Sequence, residues 1–428
     1  MIIHVAAPGE TVRSIAARYL VDPGLLAAAN GVPGDGALAQ GQALVIQRAA
    51  VYHVVLPGDT LAAIARRYGV TVRSLYRSNY WLCGQPDLLP GQVLVVRWQG
   101  EDRPPLLTTG YAYPFIPERL LDATLPYMTA LAPFTYGLDG EGSLRPLDDG
   151  RLLTAAAELG TAPLLHLSNL TEDDVFSPER SALVLLDSRR QTRLIAQVLS
   201  TLERLGYRGV DVDFENLPAA QRKPYAAFLE TLHNRLRPMG CPLVAAVAPK
   251  TRDDQPGRLY EGHGYPELGA AVDYLLLMTY EWGYAEGPPM AVAPLPQVRQ
   301  VLDYAVTAVP REKLLLGIPN YGYDWPLPYR QGSTRAVSLS NQAAVALARE
   351  RGAAIRYDEK VQSPWFSYTD GEGQEREVWF EDARSLAAKL RLVREYGLAG
   401  CGVWNLDRPW PQGWTTLNAL FAPEDPSW

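Results

Sequence analysis

The chain has 428 residues, of which 47% are hydrophobic and 20% charged, so it can form one to three globular domains with buried cores. Its formal net charge is −7 and it has no cluster of basic residues, which argues against a nucleic-acid partner. No apolar run reaches the length of a membrane span, and residues 1–10 lack the basic and apolar regions of a signal peptide.

The cysteines and histidines show no ligand-like spacing. Cys83, Cys241 and Cys401 are far apart, form no C-x-x-C pair and are odd in number, and the five histidines are scattered. We therefore predict no disulfide framework, no metal site and no cofactor. The sequence carries no signal for the oligomeric state.

An internal repeat opens the chain. "HVAAPGETVRSIAARY" begins at His4, and "HVVLPGDTLAAIARRY" begins at His53. The second halves also match, with "LAQGQALVI" from Leu38 and "LLPGQVLVV" from Leu88. Self-similarity of this kind predicts two copies of one structural unit, at residues 1–48 and 49–98.

Each copy is predicted to contain a strand, a Pro-Gly turn, two helices and a final strand. Thr11 and Thr60 are the expected N-caps of the first helices, and Asn30 and Asn79 are expected turn residues after the second helices. This pattern resembles the LysM module, which binds glycans containing N-acetylglucosamine, such as peptidoglycan and chitin. The resemblance implies a groove formed by the loops "PGETV" and "PGDTL" and by the segment before the last strand.

The rest of the chain alternates between strands and helices. A polar, proline-containing linker at 99–107 precedes eight apolar runs with β character, separated by amphipathic stretches: "TGYAYPF", "ALAPFTYGL", "APLLHLSNL", "GVDVDFEN", "PLVAAVAPK", "DYLLLMTYEWG", "LLLGIPNYGYDW" and "GCGVWNLD". Eight strand–helix units predict an α/β fold, a TIM (β/α)8 barrel over residues 108–422, with the active site at the carboxyl ends of its strands.

The connection between the seventh and eighth runs is too long for one helix. It predicts a small α+β insertion at about 327–381, with a hairpin that turns at Asp370. Five aromatic residues of this segment either form a wall for sugar rings or pack as the core of the insertion itself: Trp365, Phe366, Tyr368, Trp379 and Phe380.

The fourth run, "GVDVDFEN" at 209–216, places three acids on one face of a strand. Asp211, Asp213 and Glu215 alternate with apolar residues that point the other way. Buried like charges raise one another's pKa, so at least one of these carboxyl groups should hold a proton near neutral pH. A carboxylic acid with a raised pKa at the mouth of a barrel is suited to general acid catalysis, and Glu215 lies nearest to the mouth.

This strand resembles the signature of family 18 glycoside hydrolases, D-x-x-D-x-D-x-E. Its last three acids match, whereas Arg208 stands at the position of the first acid. In "MTYEWG" on the sixth strand, Met278 and Tyr280 match the family pattern M-x-Y-D, and Glu281 replaces its Asp. The resemblance also assigns substrate-binding roles to Tyr111 on the first strand and Trp404 on the eighth.

The resemblance implies hydrolysis with retained configuration and with help from the substrate. Two acids on one strand do not flank a glycosidic bond, so Asp213 is badly placed as a nucleophile from the opposite face. In family 18 the N-acetyl group of the sugar attacks instead. Glu215 is then the acid and base, Asp213 binds the acetamido N–H, Asp211 shares a proton with Asp213, and Tyr280 binds the acetamido oxygen.

The LysM pair and the sequences "YEWG" and "DFENL" resemble the spore cortex-lytic branch of the family, which are N-acetylglucosaminidases of spore germination. This implies a peptidoglycan substrate, cleaved after N-acetylglucosamine, and a location in the coat or cortex region of the spore. A chitinase is the alternative within the enzyme class. A catalytically inactive glycan-binding coat protein is a third interpretation, which the presence of Glu215 disfavours.

Overall fold

Two βααβ modules form the N-terminal part of the computed structural model, which describes residues 1–33, 36–82, 87–100 and 103–426. The predicted N-caps are confirmed, since the side chains of Thr11 and Thr60 both accept hydrogen bonds from backbone N–H groups. Cys83 lies outside the described residues. The first module consists of β1 (Ile2–Val5), α1 (Val12–Tyr19), α2 (Pro23–Asn30) and β2 (Ala43–Ile46), and the second of β3 (Ala49–Val54), α3 (Leu61–Tyr68), α4 (Val72–Ser78) and β4 (Val93–Trp98).

Asn30 and Asn79 do more than end their helices. Asn79 is fully buried; its Nδ2 donates to Leu75 O and Val95 O, and its Oδ1 accepts from Val95 N at 2.8 Å. Asn30 makes the equivalent bonds in the first module. One amide thus ties the second helix to the last strand, because it offers a donor and an acceptor to the same backbone unit.

Eight parallel strands close into the predicted TIM barrel, in which the eighth strand pairs with the seventh on one side and with the first on the other. A Cβ at Gly400 would lie 1.9 Å from Leu107 O, so this closing contact requires glycine. The barrel strands are β5 (Pro105–Ala112), β6 (Ala130–Pro133), β7 (Ala162–Ser168), β8 (Gly209–Asp213), β9 (Leu243–Val247), β10 (Tyr274–Leu277), β11 (Leu314–Pro319) and β17 (Gly400–Trp404).

Helices surround this barrel, and their apolar faces pack on the outward-facing strand residues, among them Val210 and Val212. Strand β5 begins at Pro105, so the last three residues of the predicted linker belong to the barrel; a short strand, β18 (Ala422–Pro423), pairs with its start. The helices are α5 (Glu118–Thr124), α6 (Gly150–Leu159), α7 (Pro178–Leu185), α8 (Ser188–Leu205), α9 (Arg222–Leu236), α10 (Tyr265–Ala271), α11 (Leu295–Ala308), α13 (Ala383–Tyr396) and α14 (Pro411–Leu420).

The segment between β11 and β17 forms a second, five-stranded sheet of order β13-β12-β16-β15-β14. It starts earlier than the predicted residue 327, because the run "LLLGIPNYGYDW" contains two strands rather than one. The chain leaves the barrel at Asn320, whose buried side chain donates to Asn405 O and Arg408 O. The elements are β12 (Gly322–Pro326), β13 (Val337–Leu339), α12 (Asn341–Glu350), β14 (Arg356–Asp358), β15 (Ser363–Thr369) and β16 (Glu375–Trp379).

Of the five aromatic residues of this insertion, Phe366, Tyr368 and Phe380 pack in its core, so the aromatic-wall hypothesis is wrong for these three, whereas Trp365 and Trp379 are only half-buried and lie outside that core cluster. Phe366 and Phe380 are buried in a cluster with small residues of α12. Trp365 and Trp379 stack on each other with ring centroids 5.6 Å apart, and Tyr368 donates to Asp324. Because side chains alternate along β15 and β16, Phe366 and Phe380 cover α12, and Trp365 and Trp379 point to the opposite face of the sheet.

The two modules contact the barrel through different surfaces. In the second module, Arg73 of α4 donates to the carbonyl oxygens of Leu125, Pro126, Met128 and Gly160. In the first module, α2 and the loop before β2 contact the insertion and the last helices instead. Gln342 donates to Gly31 O, Gln412 to Ala43 O, Thr415 to Ala29 O and Ile355 N to Gln40 O.

No helix in the described ranges is long and apolar enough to cross a membrane. Within the same ranges, no group of three His, Cys, Asp or Glu side chains is placed to hold a metal ion.

Replacing Asn79 by alanine should destabilise the second module by roughly 2–4 kcal/mol, because the N–H and C=O of Val95 would lose their buried partners. Hydrogen exchange of the Val95 amide in the full chain measures the effect. Arg67→Ala, on an exposed position of α3, serves as the control. Unchanged protection of the Val95 amide would contradict the proposed role of Asn79.

Candidate active site

The acids of β8 point into the barrel at increasing height. Asp211 is fully buried, Asp213 is 5% exposed, and Glu215 is half-buried two residues beyond the end of the strand. Val210 and Val212, which alternate with them, are buried on the outer side of the barrel among the helices. The period-two pattern of the sequence therefore places the acids on the inner face, as predicted.

Two side chains from neighbouring elements hold the backbone at Glu215. Asn169, at the end of β7, accepts from Glu215 N at 2.9 Å and donates to Glu215 O at 2.9 Å. His263 accepts from Ala248 N through Nδ1, so its Nε2 donates to Phe214 O at 2.8 Å. Asn216 follows in the left-handed region, with φ of 58°, and turns the chain away from the barrel mouth. These contacts fix where the Glu215 carboxyl group stands.

The carboxyl groups of β8 favour their protonated forms. Burial raises the pKa of Asp211 to about 7. Burial, and then the charges of Glu215 and Asp211, raise the pKa of Asp213 well above its ordinary value. Burial, followed by the charge of Glu281, raises the pKa of Glu215 to about 7. A group with this pKa can donate a proton at neutral pH and accept one back.

Tyr111 and His166 surround Asp211 at the bottom of the site. His166 Nε2 lies 3.7 Å from Asp211 Oδ2 and 3.9 Å from Asp213 Oδ2, beyond hydrogen-bond distance. Burial lowers the pKa of His166 to about 3, so this imidazole is neutral. The Tyr111 hydroxyl lies beside Asp211 and opposes the effect of burial on its pKa, but their geometry falls short of a normal hydrogen bond, and no Lys or Arg of the described residues is within ion-pair distance of Asp211. Asp211 therefore has no counter-charge and is best accommodated with a proton.

One cavity of about 500 Å³ opens above these groups at the carboxyl ends of the strands. Seven of the eight predicted site residues line it, and Asp211 lies beneath its floor. Its volume suits a small number of sugar residues, and eight Tyr, Phe and Trp side chains contribute to its wall. The predicted lining residues are Tyr111, Asp213, Glu215, Met278, Tyr280, Glu281 and Trp404, and others that the sequence did not single out include Tyr113, Phe134, Tyr321, Tyr323, Asn405 and Arg408.

Glu281 lies at the rim of the cavity and is held by two tyrosines. Its Oε1 accepts from Tyr321 Oη at 2.5 Å and from Tyr323 Oη at 3.0 Å. Its backbone has a positive φ of 67°, an uncommon conformation for a residue with a side chain. Both tyrosines come from the start of the insertion, so the insertion positions a carboxylate of the sixth barrel strand.

Arg208, which departs from the D-x-x-D-x-D-x-E signature, is exposed at the opposite end of β8. Its backbone N–H donates to Pro163 O, and it does not line the cavity. The departure is therefore remote from the proposed chemistry.

The supporting residues were missed for two different reasons. Asn169 and His166 are single polar residues in or next to the apolar run "APLLHLSNL". Their polarity is the available signal, because a polar side chain in a strand that is buried on both faces needs a hydrogen-bond partner or a functional role. Tyr321 and Tyr323 fall in the run "LLLGIPNYGYDW", which predicts a single barrel strand, so the sequence gives no indication of their contact with Glu281 across the rim.

A TIM barrel with a glutamic acid of raised pKa just beyond the end of its fourth strand, in the wall of a cavity that contains many aromatic side chains, indicates a glycoside hydrolase. Comparison with known families gives the same class. The model of glycosyl hydrolases family 18 matches residues 177–408, and the LysM domain model matches residues 4–47 and 53–97. The chain belongs to glycosyl hydrolases family 18 and carries two LysM domains.

Three similar proteins share most of this architecture. The cortical fragment-lytic enzyme of Bacillus subtilis (strain 168) is 40% identical over 298 residues, which cover 69% of this chain and 68% of that protein. The crystal structure of the Bacillus cereus spore cortex-lytic enzyme SleL is 35% identical, with a TM-score of 0.84, over 99% of this chain and 98% of that one. The structure of SleL from Bacillus megaterium QM B1551 is 34% identical, with a TM-score of 0.83 and the same coverage.

The charge of Glu281 should set the alkaline limit of activity. Glu281→Gln removes a negative charge that raises the pKa of Glu215, so Glu215 should lose its proton at lower pH. Because Glu281 is open to solvent, screening limits the expected shift of the alkaline limb to roughly half a pH unit toward acid. The pH profile of kcat/KM measures it.

Glu286→Gln is the matched control for this profile, since Glu286 is an exposed residue on the same loop outside the cavity. Its alkaline limb should remain where the wild type has it. An alkaline limb of Glu281→Gln that stays in place, or moves to higher pH, would contradict the assignment.

Proposed function

We propose that this protein hydrolyses the β-1,4 bond after N-acetylglucosamine in peptidoglycan, with retention of configuration and with the substrate's own acetamido group as nucleophile. The observation that carries the proposal is the pair Asp213 and Glu215. Both belong to one segment of chain, the lower one buried and the upper one able to hold a proton near neutral pH. This arrangement supplies a general acid, but it places no second carboxylate on the opposite side of the glycosidic bond to act as the nucleophile.

In the proposed reaction Glu215 protonates the departing glycosidic oxygen. The acetamido carbonyl oxygen attacks the anomeric carbon, and an oxazolinium ion forms as the bond to the leaving sugar breaks. Asp213 accepts a hydrogen bond from the acetamido N–H and stabilises the positive charge of the oxazolinium ring. Tyr280 donates a hydrogen bond to the acetamido oxygen. Water then attacks the anomeric carbon from the opposite side, the oxazolinium ring opens, and Glu215 takes the proton of the water.

Asp211 is proposed to share a proton with Asp213 as charge develops above. Its buried carboxyl group, without a counter-charge, favours the protonated form when Asp213 is ionised. Tyr111, Met278 and Trp404 are proposed to contact the sugar, since all three line the cavity and Tyr111 and Trp404 pack with ring centroids 5.8 Å apart.

The proposed substrate is the peptidoglycan of the spore cortex, and the proposed site of action is the spore during germination. The similarity to cortical fragment-lytic enzymes and to spore cortex-lytic enzymes supports this choice over chitin. Chitin carries the same acetamido group, so the reaction alone does not separate the two substrates. Rates on chitin oligomers and on cortex fragments, compared with one enzyme preparation, separate them.

Glu215→Gln should reduce the release of reducing ends from cortex fragments roughly 100- to 10,000-fold, because glutamine supplies no catalytic proton. Glu172→Gln, an exposed change outside the cavity, is the control. Products of the wild type should carry N-acetylglucosamine at the new reducing end. Equal rates for wild type and Glu215→Gln would refute the hydrolase proposal, and muramic-type reducing ends throughout would refute the bond assignment.

The LysM domains are proposed to bind the glycan through the loops predicted from the sequence. These loops differ in solvent exposure between the two modules. In the second module Leu56 is 55% exposed and Leu89 is 72% exposed. At the position equivalent to Leu89, Ala39 of the first module is 4% exposed, within the core cluster of the insertion. A Cβ at Gly41 would lie 1.9 Å from Ile355 O, whereas the space around Gly91 is open. We therefore propose that the second module contributes most of the binding.

This division between the modules can be tested by the binding of the Glu215→Gln protein to insoluble peptidoglycan. Changing Leu56 and Leu89 to serine together should weaken binding about tenfold, because two exposed apolar contacts are lost. Ala7→Ser, at the position equivalent to Leu56 in the first module, should have little effect. Equal weakening by the two sets of changes would contradict the proposed division.

A further inference from the structure

Arg408 brings an unpaired positive charge to the substrate cavity. It is the only lysine or arginine among the described residues that line the cavity, whereas Asp174, Asp213, Glu215 and Glu281 supply carboxyl groups. No carboxylate of the described chain lies within ion-pair distance of its guanidinium. Its Nη2 donates to Ser338 Oγ at 2.8 Å, and its buried Nη1 has no hydrogen-bond partner among the described residues.

The guanidinium is held in place by its neighbours. It lies over the ring of Tyr321 at 5.8 Å from the centroid, and the backbone of Arg408 accepts from the Asn320 side chain. Burial lowers the pKa of Arg408, against the opposing effect of Tyr321, Tyr323 and Asp407. A partly buried cation without a carboxylate partner loses hydration that Ser338 and Tyr321 replace only in part, and an anionic ligand would supply the rest.

The position of Arg408 relates it to the sugar next to the one that is cleaved. Arg408 follows β17, the eighth barrel strand, whereas Glu215 follows β8, the fourth, so the two residues stand on opposite sides of the barrel mouth. We take a glycan with one sugar above Asp213 and its glycosidic oxygen at Glu215 to run across this mouth toward Arg408. Its neighbouring residue is then the part of the substrate available to Arg408.

Peptidoglycan and chitin differ in that neighbouring residue. In chitin it is another N-acetylglucosamine, which is uncharged. In peptidoglycan it is muramic acid, whose lactyl ether ends in a carboxylate or continues into a peptide that does. Guanidinium groups bind carboxylates with two parallel hydrogen bonds, which gives both affinity and orientation.

We propose that Arg408 is a specificity-determining residue that binds the carboxylate carried by the muramic acid next to the cleaved N-acetylglucosamine. This inference rests on the proposed function. It gives the insertion a role in substrate choice, because Tyr321 and Ser338, both outside the barrel strands, fix the guanidinium.

The test compares two soluble tetrasaccharides of alternating N-acetylglucosamine and N-acetylmuramic acid. One has free lactyl carboxylates, and in the other these groups are converted to methyl amides. Wild type should show a roughly 10- to 100-fold higher kcat/KM on the free acid, as expected for a charge-assisted hydrogen-bonded pair. Arg408→Gln should reduce this preference to within about twofold, and Arg408→Lys should retain part of it.

The preference is the ratio of the two kcat/KM values measured on one enzyme sample. A partial loss of folded protein lowers both values equally and leaves the ratio unchanged. Arg335→Gln, an exposed change on the insertion and outside the cavity, is the control and should keep the preference of the wild type. If wild type cleaves both tetrasaccharides equally, or if Arg408→Gln keeps the full preference, the role of Arg408 is refuted and the proposed function stands. If wild type cleaves neither but cleaves chitotetraose, the proposed function fails, and the role of Arg408 fails with it.

Discussion

The burial of acidic groups inside an apolar barrel is the constraint on which the rest of the site depends. Burial raises the pKa of Asp211 from 3.8 to about 7, which corresponds to about 4 kcal/mol against its ionised form. Such a cost is tolerated only in a rigid framework, since carboxyl groups free to move would reach water. The closed barrel provides that framework, and the contact of Gly400 with Leu107 O completes it.

The same constraint explains the residues around the acids. Asn169 and His263 use neutral hydrogen-bonding groups to hold the backbone at Glu215, and His166 is an uncharged imidazole beside Asp211. A cation at any of these places would lower the pKa values of the carboxyl groups and remove the proton that the acid needs. The positive charge of the cavity stands instead with Arg408, on the far side of the mouth from Glu215.

The sequence is most informative where a local pattern is compatible with only one structure. Strict alternation at 209–216 placed the acids on the inner face of a strand, and the repeat from His4 and His53 predicted the two modules. It was least informative where contacts join distant segments. The tyrosines of the insertion bind Glu281 across 40 residues or more, and no local pattern records this. The turn at Asn320 was hidden because the apolar and aromatic run continues through it.

The attachment of the modules has a mechanical consequence. Arg73 in the second module and the partners of Gln412 and Thr415 in the first fix both modules on the barrel. Such contacts fix the distance between each module and the cavity. For the proposed function, this means that the distance along the glycan between the bound residue and the cleaved bond is set by the fold.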